Sequence, residues 1–266
     1  MTRTTLRAAP PGVRRLVNRL LAILVALVVW HLFARGPGSS SGFPTPLESL
    51  ESAVDLAGTS VYWSNIATSV ETALLGLGLA LLIGLPIGLL TGANEHARRS
   101  TQLILDFGRT VPAIALLPLF LLLFGATRSL GLILIVVSAV WPVIIQTSYA
   151  VGEIPPQLRR VGRAYHLTRW HRLRYLIAPS MLPFVFVGLR IAATISLLMA
   201  ISSEFLGGSD GLGYLLLQAM QINDTHRAFV YSFTAAILGL VLNLIFVLLQ
   251  RRVLWWHTSV RKGGAA

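Results

Sequence analysis

The chain has 266 residues, 55% of them hydrophobic and only 12% charged, with no cysteine and a formal net charge of +12. A mean hydropathy of +0.72 excludes an ordinary water-soluble domain, which cannot hide that much apolar surface. The missing cysteines exclude disulfides and thiolate metal sites.

In chain order the apolar residues fall into six blocks, about 16–33, 66–92, 103–124, 129–150, 180–203 and 229–250. Each is long enough to cross a hydrocarbon layer of about 30 Å. The sequence therefore predicts an all-α membrane protein of six transmembrane helices. Its expected parts are an N-terminal tail (1–15), a first span (16–33), an external linker (34–65), a five-span core (66–250) containing a cytoplasmic loop (152–179), and a C-terminal tail (251–266).

The charge alternates between connections. Arg3, Arg7, Arg14, Arg15 and Arg19 precede or open the first block, and Arg98 and Arg99 follow the second. Arg159, Arg160, Arg163, Arg169, Arg172 and Arg174 lie between the fourth and fifth, and Arg251, Arg252, Arg261 and Lys262 close the chain. The other connections carry only Arg35, Arg128 and Arg227 among acidic residues. Basic residues flanking spans stay on the cytoplasmic side, so both termini are expected there. This orienting role accounts for the basic charge without nucleic acid. A signal-peptide reading of the first block lacks a small-x-small cleavage site after Phe33.

Residues 35–60 are rich in Gly, Ser and Pro and read as a connector, with a short amphipathic helix over Leu47–Leu56 started by Thr45-Pro46. The second block carries Gly76, Gly78, Gly84, Gly88 and Gly92, small residues that let helices approach closely in lipid. Pro112 and Pro118 in the third block and Pro142 in the fourth interrupt the backbone ladder. Ionisable groups near membrane depth are few: Glu71, Asp106, Arg109, Arg190 and Glu204. Each is a functional candidate because charge is expensive there. They form no proton relay, and no inverted repeat is evident, which argues against a secondary transporter. Catalytic groups do not converge in the spans, which argues against an intramembrane enzyme. Energy is expected to enter from a partner.

The loop 152–179 carries the most information. Leu158, Val161 and Tyr165, then Trp170, Leu173 and Ile177, recur at helical spacing among arginines. Two short amphipathic helices follow, the first begun by Pro155-Pro156, the second capped by Thr168 and ended by Pro179. Such a basic pair either lies on anionic lipid or docks a soluble partner. Further on, Gly207-Gly208-Ser209-Asp210-Gly211 fits G-x-S-x-G, but the strand-turn-helix of a nucleophile elbow is absent. The glycines instead predict a turn before a short external helix over Leu212–Met220. The histidines show no metal-ligand spacing, and neither metal nor cofactor is expected. Gln146, Ser202, Glu204 and Asn243 are candidates for lining a solute path, with interhelical hydrogen bonding as the alternative.

The segment Arg160–Pro179 followed by Leu182-Pro183 resembles the EAA loop of binding-protein-dependent ABC importer permeases, whose pattern is Glu-Ala-Ala, three residues, Gly, nine residues, Ile-x-Leu-Pro. Here Arg160-Val161-Gly162 stand for Glu-Ala-Ala, His166 for Gly, and Leu176 and Ala178 for Ile and Leu, while Pro179 agrees. Thr168-Arg169-Trp170 is similar to the Ser-Arg-Trp often found there. Phe43-Pro44-Thr45-Pro46, Arg109-Thr110-Val111-Pro112 with Leu116-Leu117-Pro118-Leu119-Phe120, and Ser203-Glu204-Phe205-Leu206-Gly207 resemble the nitrate, sulfonate and taurine branch.

The resemblance implies a permease subunit for a small solute, an anion such as a sulfonate or nitrate; the alternatives are a secondary transporter or an ABC permease for a different small solute class. It implies three partners: a cytoplasmic ATPase dimer, an extracytoplasmic solute-binding protein and a second permease copy. It assigns ATPase coupling to Arg160, Gly162, Arg163, His166, Thr168, Arg169, Trp170, Leu173 and Pro179. A left-handed turn is expected at His166, where the family has glycine. The sole lysine, Lys262, is followed by Gly263, so no Walker loop is present and ATP hydrolysis falls to another chain.

Overall fold

The computed structural model describes residues 11–255, and within them every regular element is helical. The expectations for Arg3, Arg7, Arg261 and Lys262 lie outside the described residues. Five helical segments are long and apolar enough to cross a membrane, and there are six if one bent pair counts as a broken span.

The centre is built from three long helices: α3 (Ser60–Ala93), α6 (Arg128–Gly152) and α9 (Ala178–Gly207). Their shared core is made largely of small residues, Ala73, Ala80, Ala139, Ala192, Ala193 and Ala200, with Ile135, Val143 and Leu197 filling between them. Lipid is as apolar as leucine, so close van der Waals packing of small faces holds such helices together. Accordingly, large side chains such as Leu74, Leu82 and Leu90 of α3 point outward.

The glycines of α3 mark the crossing. A Cβ on Gly84 would lie 2.8 Å from Val143, and one on Gly88 2.6 Å from Thr147, whereas Gly78 faces open space. Pro86 and Pro142 stay inside α3 and α6.

The helix α1 (Pro11–Arg35) is anchored at its C-terminal end. The Trp30 indole donates to the Pro44 carbonyl at 3.0 Å, and Trp30, Phe33, Phe43 and Phe229 form a ring cluster. The Gly-, Ser- and Pro-rich stretch, whose composition reads as a flexible connector, is instead a folded corner, because these ring contacts and the indole hydrogen bond hold it. Within it α2 (Pro46–Ala57) begins with a capping box: Glu48 N–H donates to the Thr45 hydroxyl, and the Thr45 N–H donates to the Glu48 carboxylate at 2.7 Å.

The third apolar block is not one rod. It breaks into α4 (Glu95–Thr110), a 3-10 turn (Ala113–Leu116) and α5 (Leu117–Phe124), bent by 72°. Pro112 forces Val111 into extended backbone and offers no N–H, while Pro118 sits in the first turn of α5. The remaining elements are α7 (Pro156–Ala164), α8 (Arg169–Arg172), a π turn (Leu173–Ile177), α10 (Leu212–Gln221) and α11 (Thr225–Val253).

Candidate functional site: a basic hairpin and a capped helix at opposite ends of the core

The loop between α6 and α9 folds as the predicted helical hairpin. Pro155 and Pro156 start α7. The helix closes with the Schellman pair, His166 N–H to the Arg163 carbonyl at 3.0 Å and Leu167 N–H to the Gly162 carbonyl at 3.1 Å. That closure needs a left-handed residue, and His166 supplies it at φ 50°. Thr168 caps α8 by accepting from the His171 N–H, and its hydroxyl also lies 2.6 Å from His171 Nδ1.

Pro179 does not end the second helix, contrary to the expectation. The π turn over Leu173–Ile177 wraps the backbone with a five-residue bond, Ala178 N–H to the Leu173 carbonyl, and the chain runs on into α9. The Ser180 hydroxyl donates to the Leu176 carbonyl at 2.7 Å. One wide turn thus accommodates a proline that would otherwise clash with the carbonyl four residues back.

Two faces of the hairpin differ. Gly162 is buried, and a Cβ there would lie 2.9 Å from Leu176, so glycine lets α7 lie against the start of α9. The expected apolar stripe is split: Tyr165 (76% exposed) and Trp170 (64%) stand uncovered with Val161 and Leu173 partly exposed beside them, whereas Leu158 and Ile177 turn inward and are half-buried. Arg160, Arg163 and Arg169 are exposed as well, Arg163 on the side of Leu158 and Leu176, whereas Pro179 is half-buried at the base.

At the opposite end of the core lies a site that sequence reasoning only touched. Glu204, 2% exposed, ends α9 beside Ser69 of α3. The Ser69 hydroxyl donates to Glu204 Oε2 at 2.6 Å and accepts the Leu212 N–H at 2.8 Å. Glu204 Oε2 also accepts the Gly213 N–H at 3.1 Å, and Asn65 Oδ1 accepts the Gly211 N–H at 2.9 Å. Three successive donors at the start of α10 are therefore capped by side chains of two other helices, a tertiary version of the local cap. Gly208 (φ 74°) and Gly211 (φ 147°) make the expected turn, and a Cβ on Gly211 would occupy the place of the Glu204 carboxylate.

The four path candidates do not converge. Gln146 packs over Gly188 near the hairpin end of α6, Ser202 and Glu204 sit near the far end of α9, and Asn243 is exposed on α11. Of the other ionisable residues, Glu71 pairs with Arg128 at 3.0 Å and Asp106 with Arg109 at 3.0 Å, while Arg190 lies on an exposed face. Asn65 and Ser69 were missed because a lone polar residue in an apolar span reads as ordinary interhelical bonding. Their spacing of four, which puts both on one face, was the available signal.

A three-helix core with small-residue crossings and a helical hairpin between its last two spans defines a membrane-embedded transport subunit. Residues 84–254 match the family described as "binding-protein-dependent transport system inner membrane component", and the chain belongs to that family. It is 29% identical to the putative aliphatic sulfonates transport permease protein SsuC of Bacillus subtilis, covering 94% of this chain and 91% of that one. It is 27% identical to the nitrate import permease protein NrtB of Leptolyngbya laminosa, covering 91% and 88%. An inward-facing structure of the MetNI methionine ABC transporter superposes with a TM-score of 0.59 at 21% identity, covering 73% of this chain and 94% of that one. The protein is accordingly a multi-pass permease subunit of the inner membrane, and ATP hydrolysis belongs to a separate ATPase partner. Importers of this kind also work with a solute-binding protein.

Proposed function

We propose that this permease imports a small oxyanion of the sulfonate or nitrate kind, as two copies paired around a central path, with both termini cytoplasmic. Six spans alone make too thin a wall to enclose a solute. The relatives named for aliphatic sulfonates and nitrate support the substrate class, and the asymmetry of flanking arginines supports the orientation. Residues 34–65 then form the external corner, and α10 lies on the outer side.

The observation that carries the coupling role is the uncovered tip of the hairpin, where Tyr165 and Trp170 stand exposed at the family's loop position. ATP-driven closure of two ATPases would press on this tip, and the helical run from Arg169 into α9 would carry the displacement into the core. In this reading Arg160, Gly162, Arg163, His166, Thr168, Arg169, Trp170, Leu173 and Pro179 shape or bear the contact, and Gln146, Ser202, Glu204 and Asn243 remain candidates for the path.

Deleting 160–175, or replacing Trp170 by Ala, should abolish copurification of the ATPase while membrane insertion is unchanged. Normal association after the deletion would overturn the docking role. Ligand identification on the cognate binding protein tests the substrate class: a sulfonate or nitrate is expected, and a neutral solute would overturn the oxyanion assignment.

A further inference from the structure

The coupling segment is electrically one-sided. From Ile154 to Ser203 the chain contains no Asp or Glu, yet six arginines fall between 159 and 174. Arg160, Arg163, Arg169 and Arg174 are exposed. The ion pairs seen among the described residues are Arg109–Asp106, Arg128–Glu71 and Arg227–Asp224, none at the hairpin. Arg172 lies across Gly162 with its Nε buried and without an acceptor. With Arg163 it lines an open cavity of about 490 Å³ whose other walls include Ile154, Leu158 and Leu176. Like charges held this close repel in the free chain, and that repulsion is relieved when opposite charge arrives from outside.

Orientation in the membrane requires basic residues on one side but not exposed aromatic rings among them. Arginine with Tyr and Trp, exposed together on one short hairpin, is the composition of an energetically dominant protein contact. Position argues the same way. The chain is helical from Arg169 into the span expected from residue 180, so the tip stands about 15 Å beyond the apolar stretch at a rise of 1.5 Å per residue. A helix serving a lipid surface would instead lie in the interfacial plane.

We propose that the ATP-binding subunit engaging this chain presents an acidic groove, with carboxylates set against Arg160, Arg163 and Arg169 around an aromatic anchor of Trp170 and Tyr165. The inference rests on the coupling role given above and adds the charge of the partner. Arg160 occupies the position where related loops carry glutamate, so the pairing would exclude ATPases whose groove is built for an acidic loop, by like-charge juxtaposition with the arginines.

The test uses the full-length permease in nanodiscs and the ATPase subunit that copurifies with it, identified, expressed separately and titrated back. Affinity should fall at least about 10-fold between 50 mM and 500 mM salt, as exposed charge pairs are screened. Arg160→Glu and Arg163→Glu should each weaken binding by about 10-fold or more, and replacing a groove carboxylate by Arg should restore binding of the reversed variant. Arg251→Gln, away from the hairpin, should bind normally. Salt-independent binding with neutral charge reversals would overturn the acidic groove while leaving the coupling role standing. An arginine effect present only in nanodiscs containing anionic lipid would overturn it in favour of lipid. Failure of any ATP-hydrolysing subunit to bind at low salt would overturn both readings.

Discussion

The hydroxyl of Ser69 on α3 donates to Oε2 of Glu204 on α9 at 2.6 Å while accepting the Leu212 N–H at 2.8 Å. One serine, fully buried, therefore ties three helices at a single point. Removing either partner strands buried polar groups, each costing about 1–3 kcal/mol. Ser69→Ala and Glu204→Ala should lower the thermal midpoint of the detergent-solubilised protein. Glu204→Gln, which keeps an acceptor for Ser69 and Gly213, should cost less. Equal effects of Gln and Ala at 204 would show that the bonding pattern is unimportant.

Helix crossing depends on which α3 glycine is changed. Gly88→Leu drives a side chain into Thr147 and the Ile144 carbonyl, and an overpacked crossing costs roughly 1–3 kcal/mol or more. Gly78→Ala meets nothing within 4 Å and should be neutral or slightly stabilising, since alanine favours helix by about 1 kcal/mol. Thermal unfolding of the two variants should separate them clearly.

At the turn between α7 and α8, His166 holds φ 50°, a conformation that costs a side-chain-bearing residue roughly 1–2 kcal/mol relative to glycine. His166→Gly should therefore increase amide-exchange protection of Leu167, whose N–H closes the Schellman motif. A β-branched His166→Val should lower that protection and increase proteolysis between α7 and α8.

The capping box of α2 gives a pH dependence. Hydrogen bonds from the Thr45 backbone and then its side chain hold the Glu48 carboxyl below its ordinary value of 4.5. A depressed folded-state value means the stabilisation is present above the ordinary pKa and is lost as pH falls through the lowered one. Exchange protection in the first turn of α2 should thus be constant above the ordinary value of 4.5 and fall as the pH drops through the lowered one, and Glu48→Gln should remove that step.

Long apolar runs were legible because lipid imposes one solution, a helix that satisfies its own backbone. The Thr45 and Thr168 caps, the start of α7 and the turn before α10 were legible for a local reason, since each is set by neighbours within a few residues. The bend at Pro112 was visible as a proline, yet its 72° angle depends on how α4 and α5 pack. Pro179 misled because a proline ordinarily ends a helix, and only the π turn beneath it lets the helix continue.

By itself the sequence determined the solvent, the helical class and the position of the basic loop, while the left-handed turn at His166 was implied by the family resemblance. The first three follow from the length of the apolar runs and from the cost of placing charge in hydrocarbon. The tertiary structure alone decided that Glu204 meets Ser69, that Gly88 faces Thr147 while Gly78 faces outward, and that Tyr165 and Trp170 are left uncovered. These depend on the rotation of one helix against another, which periodicity narrows to a face but only contact between side chains fixes.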